Sequence, residues 1–478
     1  MDVTLIGEAS AKSIVHGHTL RRNPTFTTST MKATGGSSMA SAARSKLDEL
    51  VSRDLLRTLV PTSRLGGARC VRGPAALAAT SEEAAAAGST ATTKETAESR
   101  EGGGGATGGT DGNATGGIGC GPVLLSFSCN DYLGLSHHAE VVEASVAAAR
   151  AHGVGAGGSR LITGNHVGYA ALEAELAALK GTEDCVVFGS GYLANAGAIG
   201  AVVGPRDWCV VDALCHACIM QGVTLARCLG VTLYAHNDVG DCEAKIAAAT
   251  RAVSAAGGRV LVCTETVFSM DGDLAPVAAL SEVCRRHGAW LMTDDAHGVL
   301  VVGDAGQGGV PRGAHVDLQA GTLSKAVGSY GGYVACAKAI GDLLRTRART
   351  FVYSTGLPPA VTAASLAAIR VARREPDRRG RARARAALFA RLVPGCTPAP
   401  AAAIVPLIVG AERAALDAQA GLLLRGFLVG AIRPPTVPAG TSRLRFTFSA
   451  DHAEDDVRAL AAAVLELVPA AREARARL

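Results

Sequence analysis

The chain has 478 residues, with 47 lysines and arginines against 42 aspartates and glutamates, so its net charge is only +5. This length allows two domains and a large core, and the small net charge excludes the strongly basic balance of many nucleic-acid-binding domains. The 13 cysteines are scattered and no secretory signal peptide is visible, which indicates a reducing compartment.

The first part of the chain differs in composition from the rest. Residues 1–39 are rich in Ser and Thr and poor in acidic side chains, which suits a disordered or targeting tail. Apolar residues recur at helical spacing over residues 40–60 and predict an N-terminal helix there. Residues 61–122 are rich in Ala, Gly, Ser and Thr and would bury too little apolar surface to order themselves, so we predict a flexible insertion.

After residue 122, apolar runs that favour strands alternate with alanine-rich stretches that favour helices, such as Ala139–His152 and Val277–His287. The strand-like runs are Cys185–Phe188, Trp208–Val211, Val260–Thr264, Trp290–Thr293 and Gly332–Ala335. This alternation predicts an α/β fold with a mostly parallel sheet flanked by helices. We expect it to form a large domain over residues 123–357, followed by a smaller α+β domain over residues 358–478 that ends in a helix, Glu454–Leu467.

Two segments resemble features that the rest of the chain does not support. The run from Cys185 to Gly204 carries no charge and is long enough to span a bilayer. Glycines, Ser190 and Asn195 interrupt it, so a strand, a tight turn and a buried helix explain it better and we expect no membrane span. The segment Cys215–Cys218 has residue types that bind metals, but no second Cys/His pair stands nearby, so we expect no metal site.

The strongest chemical signal comes from Lys325, which lies in a Ser/Thr/Gly-rich loop about 30 residues after Asp294. A lysine amine can form a Schiff base with a carbonyl cofactor. Asp294 ends an apolar run, and a carboxylate at the carboxyl end of a strand can keep a pyridine nitrogen protonated. His297 is placed to donate to the phenolic oxygen of such a ring. Together these groups are the minimum apparatus of pyridoxal phosphate chemistry.

A second segment offers a place for the cofactor's phosphate. Gly189–Asn195 follows the apolar run Val186–Phe188 and opens a predicted helix. The N-terminus of a helix presents free N–H groups and the positive end of the helix dipole, which suit a phosphate. Combined with Lys325, this segment predicts the phosphate site of the same cofactor.

Several motifs, taken in order, resemble the α-oxoamine synthases, a family of fold-type I pyridoxal phosphate enzymes that condense an amino acid with an acyl-CoA and release CO2. The resemblance covers about residues 40–60 and 123–470. The motifs that carry it are Ser128–Leu135, Gly157–Arg160, Val267–Asp273, Asp294–Gly298, Gly321–Ala326 and Tyr353–Thr355. The resemblance implies a large cofactor-binding domain with a seven-stranded type of sheet.

The resemblance also implies a role for each matching residue around the cofactor. Lys325 would form the Schiff base, Asp294 would hold the pyridine nitrogen and His297 the phenolic oxygen. His216 would stack on the ring, as a catalytic and substrate-contacting group. Thr355 would reach the phosphate from a neighbouring subunit, because the family builds its sites at a homodimer interface. The remaining cofactor contacts would be Gly191, Tyr192, Ser269 and Thr322.

Three further positions match substrate contacts of the family. Arg445 corresponds to the arginine that holds the amino-acid carboxylate, which a guanidinium binds well through two parallel hydrogen bonds. Thr436 and Arg57 match other substrate contacts, although Arg57 precedes the predicted insertion.

Within the family, Ala235–Asp238 and Ala431–Thr441 are most similar to members of the biotin pathway that join L-alanine to a pimeloyl thioester. The thioester carrier, CoA or a carrier protein, stays open. The nearest alternative is an acetyl transfer to glycine or another condensation of the same family. A remote alternative is a non-catalytic partner subunit, which we would expect to lack Lys325.

A few positions depart from the family pattern. Cys218 stands where Ser is common, Leu300 replaces a usual glycine, and Gln307 stands where Arg is common. None of the three is a core catalytic group, so they bear on acyl-chain specificity and local loop geometry.

Two features give different expectations for location. The C-terminal tripeptide Ala476–Leu478 consists of a small residue, a basic residue and a leucine, as does the peroxisomal Ser-Lys-Leu signal. The Ser/Thr/Arg-rich start instead suits a mitochondrial or plastid transit peptide. We expect the peroxisome, with the mitochondrion, plastid and cytosol as alternatives.

Overall fold

The computed structural model describes residues 39–57, 59–60, 62–72, 122–396, 400–469 and 471–472. Almost all of the predicted tail, most of the predicted insertion and the tripeptide Ala476–Leu478 lie outside the described residues. The chain divides into one unit that ends at Leu56 and a second, compact unit from Arg57 to Leu478. The predicted division at residue 357 stays a prediction, because it falls inside this second unit.

The described part of the first unit is a helix, α1, over Met39–Ser52. It ends well before residue 60, where the prediction placed its end. Asp54 has a φ of 53°, in the left-handed region. Helices commonly end at such a residue, and Asp tolerates this conformation better than most side chains.

A β-hairpin occupies the start of the predicted insertion. Strands β1 (Thr62–Gly66) and β2 (Arg69–Arg72) are antiparallel, and β2 continues into pairing with β3 (Val123–Ser126), where Val71 lies opposite Val123. The prediction of a flexible insertion from residue 61 is therefore wrong for residues 62–72. The hairpin is held by a buried contact of Cys70 with Leu124 and Leu423, which local composition could not reveal.

The centre of the large unit is a seven-stranded sheet in the order β4-β10-β9-β8-β7-β5-β6. Only β10 runs antiparallel to its neighbours, so the predicted mostly parallel α/β sheet is confirmed. The strands are β4 (Asp184–Phe188), β5 (Trp208–Asp212), β6 (Gly230–Tyr234), β7 (Val260–Glu265), β8 (Trp290–Asp294), β9 (Leu318–Thr322) and β10 (Gly332–Cys336).

Helices cover both faces of this sheet. Side chains alternate along each strand, so that Val186 and Phe188 enter one apolar core while Cys185 and Val187 enter another. The helices are α2 (Ala139–His152), α3 (Gly168–Lys180), α4 (Gly191–Val202), α5 (Ala217–Ala226), α6 (Val239–Ser254), α7 (Val277–His287), α8 (Lys338–Arg347), α9 (Arg349–Val352) and α10 (Pro359–Arg374). The uncharged run from Cys185 to Gly204 forms β4 and α4, as predicted.

A second core lies in the C-terminal part, around the phenylalanines Phe389, Phe446 and Phe448. Three antiparallel strands in the order β11-β14-β13 and the last helices enclose it. Helix α10 contributes instead to the core of the large sheet, through Ala368 and Ile369. The elements are α11 (Asp377–Leu392), β11 (Ile404–Gly410), α12 (Glu412–Leu424), β12 (Phe427–Leu428), β13 (Gly430–Ile432), β14 (Ser442–Thr447) and α13 (Glu454–Leu467).

Across the described residues, no helix combines the length and the apolar character that crossing a bilayer requires.

Candidate active site

Three neighbouring parallel strands deliver the candidate catalytic residues to one edge of the sheet. Strands β7 and β8 end side by side at Glu265 and Asp294, which are register partners. Strand β9 ends at Thr322, and Lys325 follows three residues later. The carboxyl ends of parallel strands are where ligands bind in open α/β sheets.

Lys325 and His297 are in direct contact. The Nζ of Lys325 lies 2.7 Å from Nε2 of His297, and Nδ1 of His297 lies 2.7 Å from the hydroxyl of Tyr132. Burial lowers the pKa of His297 well below its usual value, and the positive charges of Lys325 and Arg445 lower it further. The imidazole is therefore neutral, so one of its nitrogens donates a hydrogen bond and the other accepts one.

Asp294 is buried and accepts two hydrogen bonds. Its Oδ2 accepts from Nδ2 of Asn195 at 2.8 Å, and its Oδ1 accepts from the backbone N–H of Ala296 at 3.0 Å. Burial raises its pKa, against the lowering effect of Lys325 and His216. A buried carboxylate of this kind is stabilised by any cation brought next to it.

Glu265 is a buried acid that the sequence analysis missed. Its Oε1 accepts from the backbone N–H of His216 at 2.7 Å. Burial and the neighbouring charge of Asp294 raise its pKa to about 8, so it is largely protonated at neutral pH. The available signal was the one used for Asp294, since Glu265 also ends an apolar run.

The amine of Lys325 shares this environment. Burial lowers its pKa, while Asp294 and Glu265 oppose that effect. A lowered lysine pKa increases the neutral form that acts as a nucleophile or base.

The start of α4 and the end of β9 form a small polar cup. Ser190 caps α4 by accepting from the backbone N–H of Leu193 at 3.2 Å. A Cβ built on Gly191 would lie 3.1 Å from the Cβ of Thr322, so only glycine fits without displacing that threonine. The hydroxyls of Thr322 and Ser324 are 2.8 Å apart. Hydroxyl groups beside a helix N-terminus form a site for a phosphate.

His216 caps the start of α5 and is held by Cys218. Its Nδ1 accepts from the backbone N–H of Cys218 at 3.2 Å and lies 2.9 Å from the Cys218 sulfur. Burial lowers the pKa of His216. Because Nδ1 accepts, the neutral ring carries its proton on Nε2.

Arg445 approaches the same site from β14. Its guanidinium donates to the backbone oxygen of Ser269, to Oδ1 of Asn130 at 3.2 Å and 3.3 Å, and to the hydroxyl of Tyr132 at 3.4 Å. None of these partners is a carboxylate. Its charge therefore stays available for an anionic ligand. Asn130 and Tyr132 were not singled out from the sequence, although they lie in the Ser128–Leu135 motif.

The other predicted site residues lie at the surface. Arg57 and Thr436 are 379 positions apart in the chain, and the structure brings them into a hydrogen bond of 3.0 Å. Tyr192 is exposed in the first turn of α4. Thr355 is also exposed and forms a backbone bridge with Ser159.

The charge balance of the cluster favours a cationic ring nitrogen at Asp294. Burial disfavours the negative charge of Asp294, and the neighbouring Glu265 is largely protonated, so a cation beside Asp294 would stabilise its carboxylate. A protonated pyridine nitrogen would supply that charge and donate a hydrogen bond to the carboxylate. The residues therefore fit pyridoxal phosphate, with the aldehyde at Lys325 and the phosphate at the α4 cup. The described residues include no cluster of metal-binding side chains.

Comparisons with known proteins agree with this geometry. Residues 122–464 match the family described as aminotransferase class I and II. The 8-amino-7-oxononanoate synthase of Methylocella silvestris is 50% identical over 347 residues, covering 72% of this chain and 97% of that protein. Its counterpart in Methylobacterium nodulans is 45% identical over 431 residues, covering 90% and 97%. The solved serine palmitoyltransferase of Sphingomonas wittichii superposes with a TM-score of 0.69 at 30% identity, covering 74% and 89%.

Proposed function

The chain belongs to the aminotransferase class I and II family, in its α-oxoamine synthase branch, and from that premise we propose its reaction and the roles of its residues. The enzyme uses pyridoxal phosphate to condense L-alanine with a pimeloyl thioester, giving 8-amino-7-oxononanoate and CO2 and releasing the thiol carrier. This reaction is a step of biotin biosynthesis. The observation that carries the proposal is the contact between Lys325 and His297 beside a buried Asp294.

Pyridoxal phosphate, when bound, withdraws electrons from the α-carbon of the amino acid and so stabilises the carbanion that attacks the thioester. Lys325 would hold the cofactor's aldehyde, and its amine would take the α-proton of the amino acid. The lowered pKa of Lys325 favours both roles, because a neutral amine is required for each.

Asp294 and His297 would each hold a different polar atom of the ring. The carboxylate of Asp294 keeps the ring nitrogen protonated, and Asn195 fixes its orientation by donating to Oδ2. His297 would donate from Nε2 to the phenolic oxygen, because its Nδ1 accepts from the hydroxyl of Tyr132. This places the proton of His297 on the nitrogen that faces Lys325.

The substrates are bound by separate groups. Arg445 binds the carboxylate of alanine, since its present partners are neutral oxygens that leave its charge uncompensated. His216 would stack on the ring, with its proton on Nε2 because Nδ1 accepts from the backbone N–H of Cys218. Arg57 and Thr436, joined by a hydrogen bond at the surface, contact the acyl substrate.

The test is a titration of the purified protein with pyridoxal phosphate, then alanine or glycine, then pimeloyl-CoA or acetyl-CoA. We expect a visible absorbance band that responds to alanine and thiol release with the pimeloyl donor. Lys325→Ala should lose the band and the turnover. A band that answers only glycine, with release from acetyl-CoA, would move the enzyme to the sister acetyl transfer. The absence of any band would favour a non-catalytic subunit.

We further propose that the enzyme is a homodimer with shared sites. Thr355 is exposed, and the two segments joined at the Ser159–Thr355 bridge also expose Ile162 to 79% and Tyr353 to 73%. Exposed apolar side chains that cluster in this way mark interaction surfaces. A partner subunit covering them would bring a second Thr355 towards the phosphate cup.

Mixing two inactive variants tests the shared site. Lys325→Ala and Thr355→Ala should each lose activity, because each lacks one group of every site. If Thr355 acts across the interface, a mixed dimer contains one intact site and one doubly altered site, so activity returns after the subunits are exchanged. No recovery in proven heterodimers would contradict the shared site.

We propose the peroxisome as the location, on the basis of the C-terminal Ala-Arg-Leu alone. A fluorescent protein should be fused to the N-terminus of the full chain, with and without the last three residues. Loss of peroxisomal signal on deletion would support the proposal. A separate fusion behind residues 1–39 should stay cytosolic, and its arrival in mitochondria or plastids would overturn it.

A further inference from the structure

His236 lies outside the groups that the reaction uses, yet it joins two carboxylates at the edge of the active site. Its Nδ1 lies 3.0 Å from Oδ1 of Asp212, and its Nε2 lies 2.9 Å from Oδ2 of Asp273. An imidazole that donates to carboxylates from both nitrogens is the protonated form. His236 is therefore a partly buried cation between two carboxylates.

Each carboxylate has a second bond that fixes it further. Asn237 has a φ of 57°, and from that position its backbone N–H donates to Asp212 at 2.9 Å while its side chain donates to Asp273 at 2.8 Å. Asp212 also accepts from the backbone N–H of Leu214 at 2.8 Å. Leu214 is two residues before His216, so Asp212 fixes the segment that leads to the ring-stacking histidine.

The same imidazole holds the loop that carries Ser269 at both ends. The ring of Phe268 packs edge-on against His236 with centroids 4.3 Å apart, and Asp273 is bonded to the imidazole on the far side of the loop. Between these two anchors the loop closes on itself, since the N–H of Phe268 donates to the oxygen of Asp273 at 3.1 Å. Ser269 in turn presents its backbone oxygen to Arg445.

We propose that His236 is a positioning residue for the cofactor site, which sets the placement of Ser269 and His216 through Asp273 and Asp212. Its hydrogen bonds and ring contact go to none of the residues proposed above to hold the cofactor or the substrates. The inference rests on the cofactor of the proposed function and is independent of its two substrates.

The charge state of His236 supports this role. Burial would lower the pKa of His236, but the hydrogen bonds and charges of Asp212 and Asp273 outweigh it and raise the pKa to about 10. The groups that face the ring are Asp212 from β5, Asp273 and Phe268 from the loop after β7, and Asn237 beside it. Asp241, in the first turn of α6, accepts the backbone N–H of Ala235. Because the pKa is raised, the imidazole is charged at neutral pH, and it loses its charge and one of its two donors as the pH rises through about 10.

The test uses His236→Gln in the full-length protein, with His287→Gln as a matched control. Both imidazoles are about one-quarter exposed and paired with a carboxylate, but His287 pairs with Glu243 between α6 and α7. The probe is 4′-deoxypyridoxine 5′-phosphate, which cannot form a Schiff base, so its binding does not depend on Lys325 chemistry. We expect His236→Gln to weaken probe binding about tenfold, because a neutral side chain removes the charge from the hydrogen bonds to both Asp212 and Asp273, and we expect His287→Gln to leave binding unchanged.

The pH profile separates positioning from a general loss of stability. The ratio of wild-type to His236→Gln affinity should fall from about ten towards one above pH 10, because the titration of the probe cancels in the ratio. In Asp273→Asn, the loss of affinity should occur at lower pH. Equal affinities of wild type and His236→Gln at pH 7, or a ratio that does not change with pH, would overturn the proposal. Failure of the wild type to bind the probe would instead contradict the proposed function.

Discussion

Cys218 fixes which nitrogen of His216 carries the proton. Burial raises the pKa of the Cys218 thiol, so it remains a donor, and its sulfur lies 2.9 Å from Nδ1 of His216. A donor at Nδ1 stabilises the neutral imidazole. The thiol therefore does what a serine hydroxyl would do at this position, and the departure from the family pattern keeps the function of the side chain.

We expect Cys218→Ala to raise the pKa of His216 towards its usual value, because the neutral ring loses one of its two donors. Cys218→Ser is the matched control and should leave the titration near that of the wild type. Nitrogen NMR of histidine-labelled protein, assigned with His216→Gln, measures both the pKa and the tautomer. Identical titration of the Ala and Ser variants would show that the thiol has no such role.

Leu300 combines backbone strain with burial. Its φ is 62°, a region that favours glycine, and its side chain is only 2% exposed in the core of the large sheet. Restoring glycine relieves about 1 kcal/mol of strain, whereas losing a buried leucine costs about 2–5 kcal/mol. The side chain outweighs the strain, which explains how a leucine can stand where the family has glycine.

We expect Leu300→Gly to lower the free energy of unfolding by about 1–4 kcal/mol, the difference of these two effects. Leu300→Ala loses nearly the same contacts and keeps the positive φ, so it should be no more stable than Leu300→Gly. Urea unfolding of both variants measures the comparison. A clearly more stable alanine variant, the usual order for this pair, would contradict the strain at this residue.

The catalytic residues could be predicted individually from the sequence because their side-chain chemistry and their positions after apolar runs are both visible there. Lys325, Asp294 and His297 follow from those two facts, and the structure brings the three into one cluster. Glu265 carries the same local signal, but its position beside Asp294 depends on the pairing of β7 with β8, which the sequence does not state. Tyr132 comes to His297 from 165 positions away, through packing that no local pattern reports.

The turn after β8 depends on a buried ion pair. Asp295 and Lys180 have fully buried side chains, with Nζ and Oδ2 2.7 Å apart. Lys180 also donates to the backbone oxygen of Gln307 at 2.6 Å, and Asp295 accepts from Thr266 and from the backbone N–H of Gly309 at 3.0 Å. The adjacent aspartates thus have different roles, because neighbouring residues at a strand end point to opposite sides of the sheet.

We expect Lys180→Met to lower the free energy of unfolding by about 3–5 kcal/mol, because it leaves the charge of Asp295 buried and unpaired. The exposed pair of Arg285 and Glu282 provides the control, and Arg285→Met should change stability by less than about 1 kcal/mol. Denaturant titration of the cofactor-saturated enzyme measures both. A loss of less than 1 kcal/mol in Lys180→Met would contradict the stabilising role of this buried pair.

Element boundaries could be predicted where the chain itself marks them. Helix α2 ends before Gly153 and α7 before Gly288, both with positive φ, and their predicted bounds are those observed. The antiparallel direction of β10 could not be predicted, since Gly332–Cys336 is as apolar and as buried as parallel strands of the same sheet such as β7. The direction of β10 follows from the short connection between β9 and β10. A parallel strand beside β9 would need a longer crossover connection.

At the scale of the whole molecule, the α/β class was predictable because it depends on repeated alternation, whereas the hairpin of β1 and β2 was not. The alternation of strand and helix patterns still predicts the α/β class when one strand or helix is assigned wrongly. The hairpin depends on one long-range contact, of Cys70 with Leu124 and Leu423, inside a stretch whose average composition argues against order. When composition is averaged over a long segment, a short ordered element at the end of that segment is not detected.

The described residues on either side of residues 73–121 are neighbours, since Val71 of β2 pairs with Val123 of β3. We expect a variant in which these 49 residues are replaced by Asn-Gly to retain pyridoxal phosphate binding and turnover. Its free energy of unfolding should rise by up to about 3 kcal/mol, because a shorter loop costs less entropy to close. Thermal unfolding and the alanine assay test this. Loss of the cofactor would mean that the segment contributes to the active site.

The pairing of Val71 with Val123 also makes the connection between β2 and β3 a site that should tolerate insertions. Because β2 and β3 are paired at Val71 and Val123, the connection between these strands can be a turn, 49 residues or an inserted domain whose own termini lie close together. A fluorescent reporter placed here would stay attached to the enzyme while both chain ends remain native. Such a fusion could be used to locate the protein in cells without covering either candidate targeting signal, residues 1–39 or the C-terminal tripeptide.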